Sequence, residues 1–258
     1  DVESRGLGDV YKRQVYGTGK REENLRGYFA AISAMDEQIG RLLDAVEEQG
    51  LADNTVILFT ADNGMSMGQH GVWGKGNGTF PMNMYDSAVK VPFLISWPGH
   101  IPANTVCSEM ISACDLLPTI LKLTGLSDKQ PTGLPGRSFT ELLEGRQLEH
   151  RDEVVIFDEY GPVRMIRTKE WKYVHRYPYG KHELYHLVDD PGEEKNLYGL
   201  PEYKKLVTQL KGRMEKWFCT YSDPAIDGVR SAVNGSGQLC RPGVYAIYED
   251  PFSPKGVE

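Results

Sequence analysis

The run from Val56 to Lys75, VILFTADNGMSMGQHGVWGK, constrains this chain more than any other stretch. Apolar and β-branched residues, Val56 to Thr60, give way to Asp62, Asn63 and Gly64. A short apolar run bounded by turn residues predicts a buried strand. In open parallel sheets, ligands bind beyond the carboxyl ends of the strands. The strand thus delivers one carboxylate and one amide to the rim where an α/β protein keeps its site. Both are hard oxygen donors, suited to Ca²⁺ or Mg²⁺. A glycine-rich loop then leads to His70 and Lys75. The same residues also have a plain structural use, since Asn-Gly is a common turn pair and an Asp after a strand often caps a loop or helix.

The surrounding pattern places this strand in an α/β unit. Leu25, Tyr28, Phe29, Ile32, Met35, Ile39, Leu42, Leu43 and Val46 recur at three- and four-residue steps, which predicts a helix over 22–49 closed by Gly50. Helix, short loop and strand make one unit of a doubly wound sheet. Val91 to Ser96 predicts the next strand, with Pro92 tolerated at its start. Asp115 is placed as the N-cap of a helix through Leu123 that Gly125 closes, and Ser138 to Glu141 fits a capping box.

Near His150 the pattern changes. The runs 153–159, 162–168 and 171–177 are short, β-rich and too closely connected for parallel crossovers, so they predict an antiparallel meander. Leu206, Val207, Leu210, Met214, Trp217 and Phe218 predict one more amphipathic helix. The expected fold is therefore α/β: a partial doubly wound sheet with helices on both faces, plus a smaller C-terminal α+β subdomain with an antiparallel sheet. The expected division is 1–14 as a non-native leader without usable pattern, 15–148 as the α/β part, and 149–258 as the subdomain.

Charge and composition narrow the partners. A formal net charge of −7 argues against nucleic acid. No apolar run reaches the length of a membrane helix. Cys107, Cys114, Cys219 and Cys240 lack zinc-type spacing, which leaves disulfides and buried thiols both open. Oligomeric state has no signature in the sequence.

The segment TADNGMSMGQHGVWGKG resembles the second metal-ligand segment of the type I sulfatases, within the alkaline phosphatase superfamily. The resemblance extends over Tyr28–Asp36, Asn83–Pro92, Asp115–Thr119, Glu183–Tyr185, Asp190–Glu193 and Asn196–Leu197. It implies that Asp62 and Asn63 bind a divalent cation, usually calcium, that Lys75 contacts the sulfate group, and that His70 reaches the ester oxygen. It also implies a sulfated small molecule or glycan as substrate, and export to the periplasm or medium of a bacterium. His175 and Arg176, within a polar and aromatic cluster with Tyr177, Tyr179, Lys181 and His182, are candidate substrate-binding residues, although exposed strand ends carry such clusters for solvation alone.

The family's nucleophile is a formylglycine made in a Cys/Ser-x-Pro-x-Arg string, and no such string occurs here. The nearest, Cys240-Arg241-Pro242-Gly243-Val244, lacks the closing Arg. The expectation is a C-terminal portion of a sulfatase, inactive by itself, with the formylglycine on a preceding part. A phosphodiesterase or phosphonate monoester hydrolase of the same superfamily is the alternative, as is a non-catalytic, glycan-binding relative. Asn63 favours the sulfatase, because phosphatase relatives more often place His after the Asp.

Overall fold

The computed structural model describes residues 21–76, 79, 82–146, 152–158, 161–177 and 180–230. They group into two compact units. The first comprises residues up to 78 together with 86–105, and the second comprises 79–85 together with 106 onward. This differs from a division at 148/149. Side chains of the meander explain the second unit's reach: Lys169 pairs with Glu109, and Arg167 donates to the Met110 sulfur.

In the first unit, helix α1 (Arg21–Glu48) follows the predicted span, and Gly50 closes it at φ +66°. Strand β1 (Ile57–Thr60) leads to the two-residue strands β2 (Ser66–Met67) and β3 (Trp73–Gly74), then to the short helix α2 (Asp86–Val89) and strand β4 (Phe93–Ser96). The mixed α/β character is as expected, but the pairing direction is not. β1 and β4 are antiparallel, with Ile57 opposite Ser96 and Thr60 opposite Phe93. The cause lies in the connection. The Gly64 amide donates to the Ala88 carbonyl at 2.8 Å, so the chain leaves and re-enters at the same end of the pair. β1 is also less buried than predicted: Leu58 on β1 and Leu94 on β4 are exposed. Several apolar residues of α1, Phe29 and Leu42 among them, are exposed too.

In the second unit, helix α3 (Leu116–Leu123) is started by Ser112 rather than Asp115. The Ser112 side chain caps a preceding 3₁₀ turn, and the buried Asp115 carboxylate accepts the backbone N–H groups of Ser112 and Arg137 at 2.8 Å each. Asp115 is thus the reciprocal member of the box, not its first residue. At helix α4 (Thr140–Leu143) the Ser138 hydroxyl accepts from the Thr140 N–H at 3.3 Å, while Glu141 pairs with Lys122 instead of closing a box. The sulfur atoms of Cys107, Cys114 and Cys219 are free thiols on exposed residues, and Cys240 lies outside the described residues.

The meander has four strands, β5 (Val154–Phe157), β6 (Val163–Arg167), β7 (Trp171–Arg176) and β8 (Glu183–His186), in sequential antiparallel order. The first three match the predicted runs; β8 adds a fourth. Helix α5 (Lys204–Tyr221) presents Leu210, Met214 and Phe218 to one sheet face, where Val155, Ile166, Tyr173 and Leu184 form the core. Strand residues alternate between faces. The opposite face therefore carries Lys172, Val174 and Arg176 on β7 and Glu183 and Tyr185 on β8, all of them buried.

Candidate functional site

In the first unit the sequence forces its polar residues outward just where β1 ends. Asp62 is exposed, and its Oδ1 accepts the Asn63 backbone N–H at 2.8 Å. The Asn63 Nδ2 donates to the Gly64 carbonyl at 2.9 Å, which fixes the amide plane. Its Oδ1 then accepts from Lys75 Nζ at 3.3 Å. Twelve positions separate that pair, and the β2–β3 ribbon closes the distance by pairing Ser66 with Gly74 and Met67 with Trp73. The ribbon is anchored from below. Ser66 is fully buried, with its hydroxyl 2.7 Å from that of Ser87. A Cβ on Gly64 would overlap the Ser87 carbonyl oxygen, so only glycine permits this approach. Gly64 and Ser87 both lie in the motifs quoted above, but their partnership is long-range and had no sequence signal.

The structure thus brings Asp62, Asn63 and Lys75 together. His70 occupies the turn of the ribbon, exposed, at φ +54° between Gly68 at +102° and Gly71 at +71°. A non-glycine residue in that region is held at some cost in backbone energy, a feature concentrated at functional turns.

His175 and Arg176 belong to the second unit, and here the expectation of a pocket-lining cluster is corrected. Arg176 is fully buried. Its guanidinium pairs with Glu183 at 3.1 Å and donates to the carbonyls of Lys181 at 2.6 Å and Met82 at 3.4 Å. The His175 ring is buried, with Nδ1 2.6 Å from the Tyr173 hydroxyl and its plane stacked on His182 at 4.0 Å. Burial holds His175 down at about 3 and His182 at about 4, since both rings are drawn away from the water that would stabilise an imidazolium. The Tyr177 hydroxyl, desolvated and beside Glu215, is pushed up to about 12. His175, Arg176, Tyr177 and His182 thus have internal partners, Lys181 is exposed, and Tyr179 lies outside the described residues.

The donor chemistry of Asp62 and Asn63 fits a hard cation. They supply two side-chain oxygens, whereas Ca²⁺ takes about six to eight. Among the described residues no group of three or more His, Cys, Asp or Glu could hold a metal. By itself the pair supplies too few donors for such a cation.

Comparison with known proteins places this arrangement. The family model described as N-sulphoglucosamine sulphohydrolase, C-terminal, matches residues 68–219, and the sulfatase model matches residues 7–126. An N-acetylglucosamine-6-O-sulfatase of Bacteroides thetaiotaomicron is 31% identical over 219 residues, covering 79% of this chain and 37% of the relative. A structure solved in complex with its substrate, D-glucosamine-2-N,6-O-disulfate, superposes with a TM-score of 0.71 at 29% identity, over 86% of this chain and 47% of that one. The phosphonate monoester hydrolase of Agrobacterium radiobacter superposes with a TM-score of 0.65 at 27% identity, over 77% and 42%. The chain spans less than half the length of each of these relatives. With a family model matched across more than half of its residues, and with the Asp-Asn pair and lysine in one place, the chain belongs to the sulfatase family.

Proposed function

We propose that this protein serves the hydrolysis of sulfate monoesters, with a sulfated carbohydrate or aryl alcohol as substrate. The observation that carries the reading is the 3.3 Å approach of Lys75 Nζ to Asn63 Oδ1, beside Asp62. Asp62 and Asn63 would hold a divalent cation, calcium or else magnesium, through the carboxylate and the amide oxygen. Such an ion supplies Lewis-acid polarisation of a sulfuryl oxygen. An amide ligand adds an oxygen without a second negative charge. Lys75 adds a fixed ammonium, whose charge meets an anionic ester and the further charge that develops as the ester bond breaks. His70, at the turn of the same ribbon, is the candidate for the ester oxygen. No residue matches the formylglycine segment, so no nucleophilic step is assigned to this chain.

Titration of the chain with Tb³⁺ as a luminescent calcium analogue, followed by sulfate competition, tests the reading. Binding that D62A abolishes and N63A weakens supports it; binding indifferent to both substitutions overturns it. The chain alone should not turn over an aryl sulfate in calcium. The phosphonate monoester hydrolase fold match supports a second reading in which a phosphonate monoester takes the same place. Competition by sulfate against methylphosphonate separates the two.

A further inference from the structure

We infer that Ser87 is a positioning residue for Lys75: through the buried hydroxyl of Ser66 it fixes the base of the β2–β3 ribbon, and with it the place of the ammonium beside Asn63. The purpose given to this tie rests on the proposed function; its geometry does not.

All the residues concerned belong to the first unit. A ribbon of two-residue strands cannot hold a lysine by itself. Even a full two-stranded hairpin is marginally stable in water, and here Gly68, His70 and Gly71 all take positive φ in the turn. Ser66 faces Gly74 across the base of the ribbon, and Lys75 is the next residue. Whatever fixes Ser66 therefore fixes the backbone from which the Lys75 side chain leaves.

Ser87 meets this loop twice. Its carbonyl oxygen lies where a Cβ on Gly64 would be, and its hydroxyl stands 2.7 Å from that of Ser66, across 21 positions of sequence. A closed turn holds it there: the Lys90 N–H donates to the Asp86 carbonyl at 2.9 Å, and Ala88 within the turn is buried. The Ala88 carbonyl receives the Gly64 N–H, which seats the exit of β1 without help from any side chain.

The hydroxyl contact is directional. An apolar pair at 66 and 87 would tolerate a slide, whereas a hydroxyl pair at the preferred O–H···O separation is lost when either partner moves by about an ångström. Lys75 has little slack to absorb such a slide, since its Nζ reaches Asn63 Oδ1 at 3.3 Å, the long end of a hydrogen bond. Ser66 is also fully buried, so its hydroxyl is costly without a partner. Positioning and stability are thereby separable. Removing one hydroxyl orphans the other; removing both relieves that penalty and leaves only the loss of direction.

The test follows the Asn63 side-chain amide by ¹⁵N–¹H NMR in the whole chain, with K75M marking where that peak lies once the ammonium is gone. In S87A and in S66A/S87A the peak should move at least halfway from its wild-type position to its K75M position. Gly64 amide exchange in the double variant should stay within about threefold of wild type, because Ala88 still accepts its proton. Sulfate competition against Tb³⁺ should weaken about fivefold or more in the same variant. A double variant whose peak returns to the wild-type position overturns the inference, because the S87A shift would then come from the orphaned hydroxyl. Loss of Gly64 protection in step with the shift overturns it too, since the pair would hold the whole loop and not the lysine. So does a K75M peak that coincides with wild type, because there would be no contact to position. Unchanged sulfate competition beside a shifted peak overturns the positioning role. A wild-type chain indifferent to sulfate would instead refute the proposed function and leave the Asn63 shifts standing.

Discussion

Acidification from pH 6.5 to about pH 4.5 should destabilise the meander unit through one pair of residues, His175 and His182. Their rings stack at 4.0 Å, and both Nδ1 atoms are hydrogen-bonded. The Tyr173 hydroxyl lies 2.6 Å from Nδ1 of His175. The Arg176 backbone N–H donates to the other at 3.2 Å. Protonation of His182 Nδ1 breaks its bond from the Arg176 N–H, and protonation of either ring puts a charge beside a second imidazole. Burial, the largest cause in each case, lowers the folded-state values to about 3 and about 4 from the ordinary 6.5.

The sign follows from proton counting. Below 6.5 the unfolded rings take up protons while the folded ones do not, so stability is complete above pH 6.5 and falls as the pH drops toward 4 and 3. Each group contributes a slope of about 1.4 kcal/mol per pH unit across that window. Two pH units and two groups give roughly 5 kcal/mol, and screening of the half-buried His182 reduces that to about 3 kcal/mol. That is a large part of an ordinary domain's stability. Urea melts followed by tryptophan fluorescence, with Trp171 and Trp217 both in this unit, should show the loss. The H175Q/H182N variant should lose about 3 kcal/mol less over the same range, because its carboxylates titrate as in the wild type. Parallel pH profiles for the two proteins would refute the argument.

Three further outcomes follow from the geometry. K75M should abolish sulfate competition yet raise Tb³⁺ affinity several-fold, since it removes a like charge from beside Asn63 Oδ1; luminescence titration reads both effects, and unchanged affinity for both ions contradicts the site. G64A should eliminate cation and anion binding together while leaving the meander folded, because the Ser87 carbonyl oxygen occupies the space a Cβ needs; circular dichroism with the same titration checks this. D115A removes the buried acceptor for the Ser112 and Arg137 N–H groups and should cost about 1–2 kcal/mol of stability in the second unit; a urea midpoint unchanged from wild type would count against it.

The local features were legible because local periodicity wrote them. Helix α1 and its closing Gly50 follow from three- and four-residue apolar spacing. The β1 strand, its polar exit at Asp62 and Asn63, and three strands of the meander follow from short β-rich runs between turn residues. Lys75 lies beside Asn63 because the glycine-rich stretch between them folds into a tight ribbon.

Long-range contacts decided the rest. Whether β1 and β4 run parallel or antiparallel depended on Gly64 meeting Ala88, two residues that carry no mutual signal along the chain. A run such as WKYVHR reads alike whether its charged face meets water or protein. Here Glu183, Glu193 and the carbonyls of 82 and 84 surround Lys172 and Arg176, so Arg176, which sequence chemistry offered to a substrate, is an internal tie instead. Side-chain type is set by sequence; whether a charge finds its partner in solvent, in substrate or in the chain itself is set by what tertiary folding brings within a few ångströms of it.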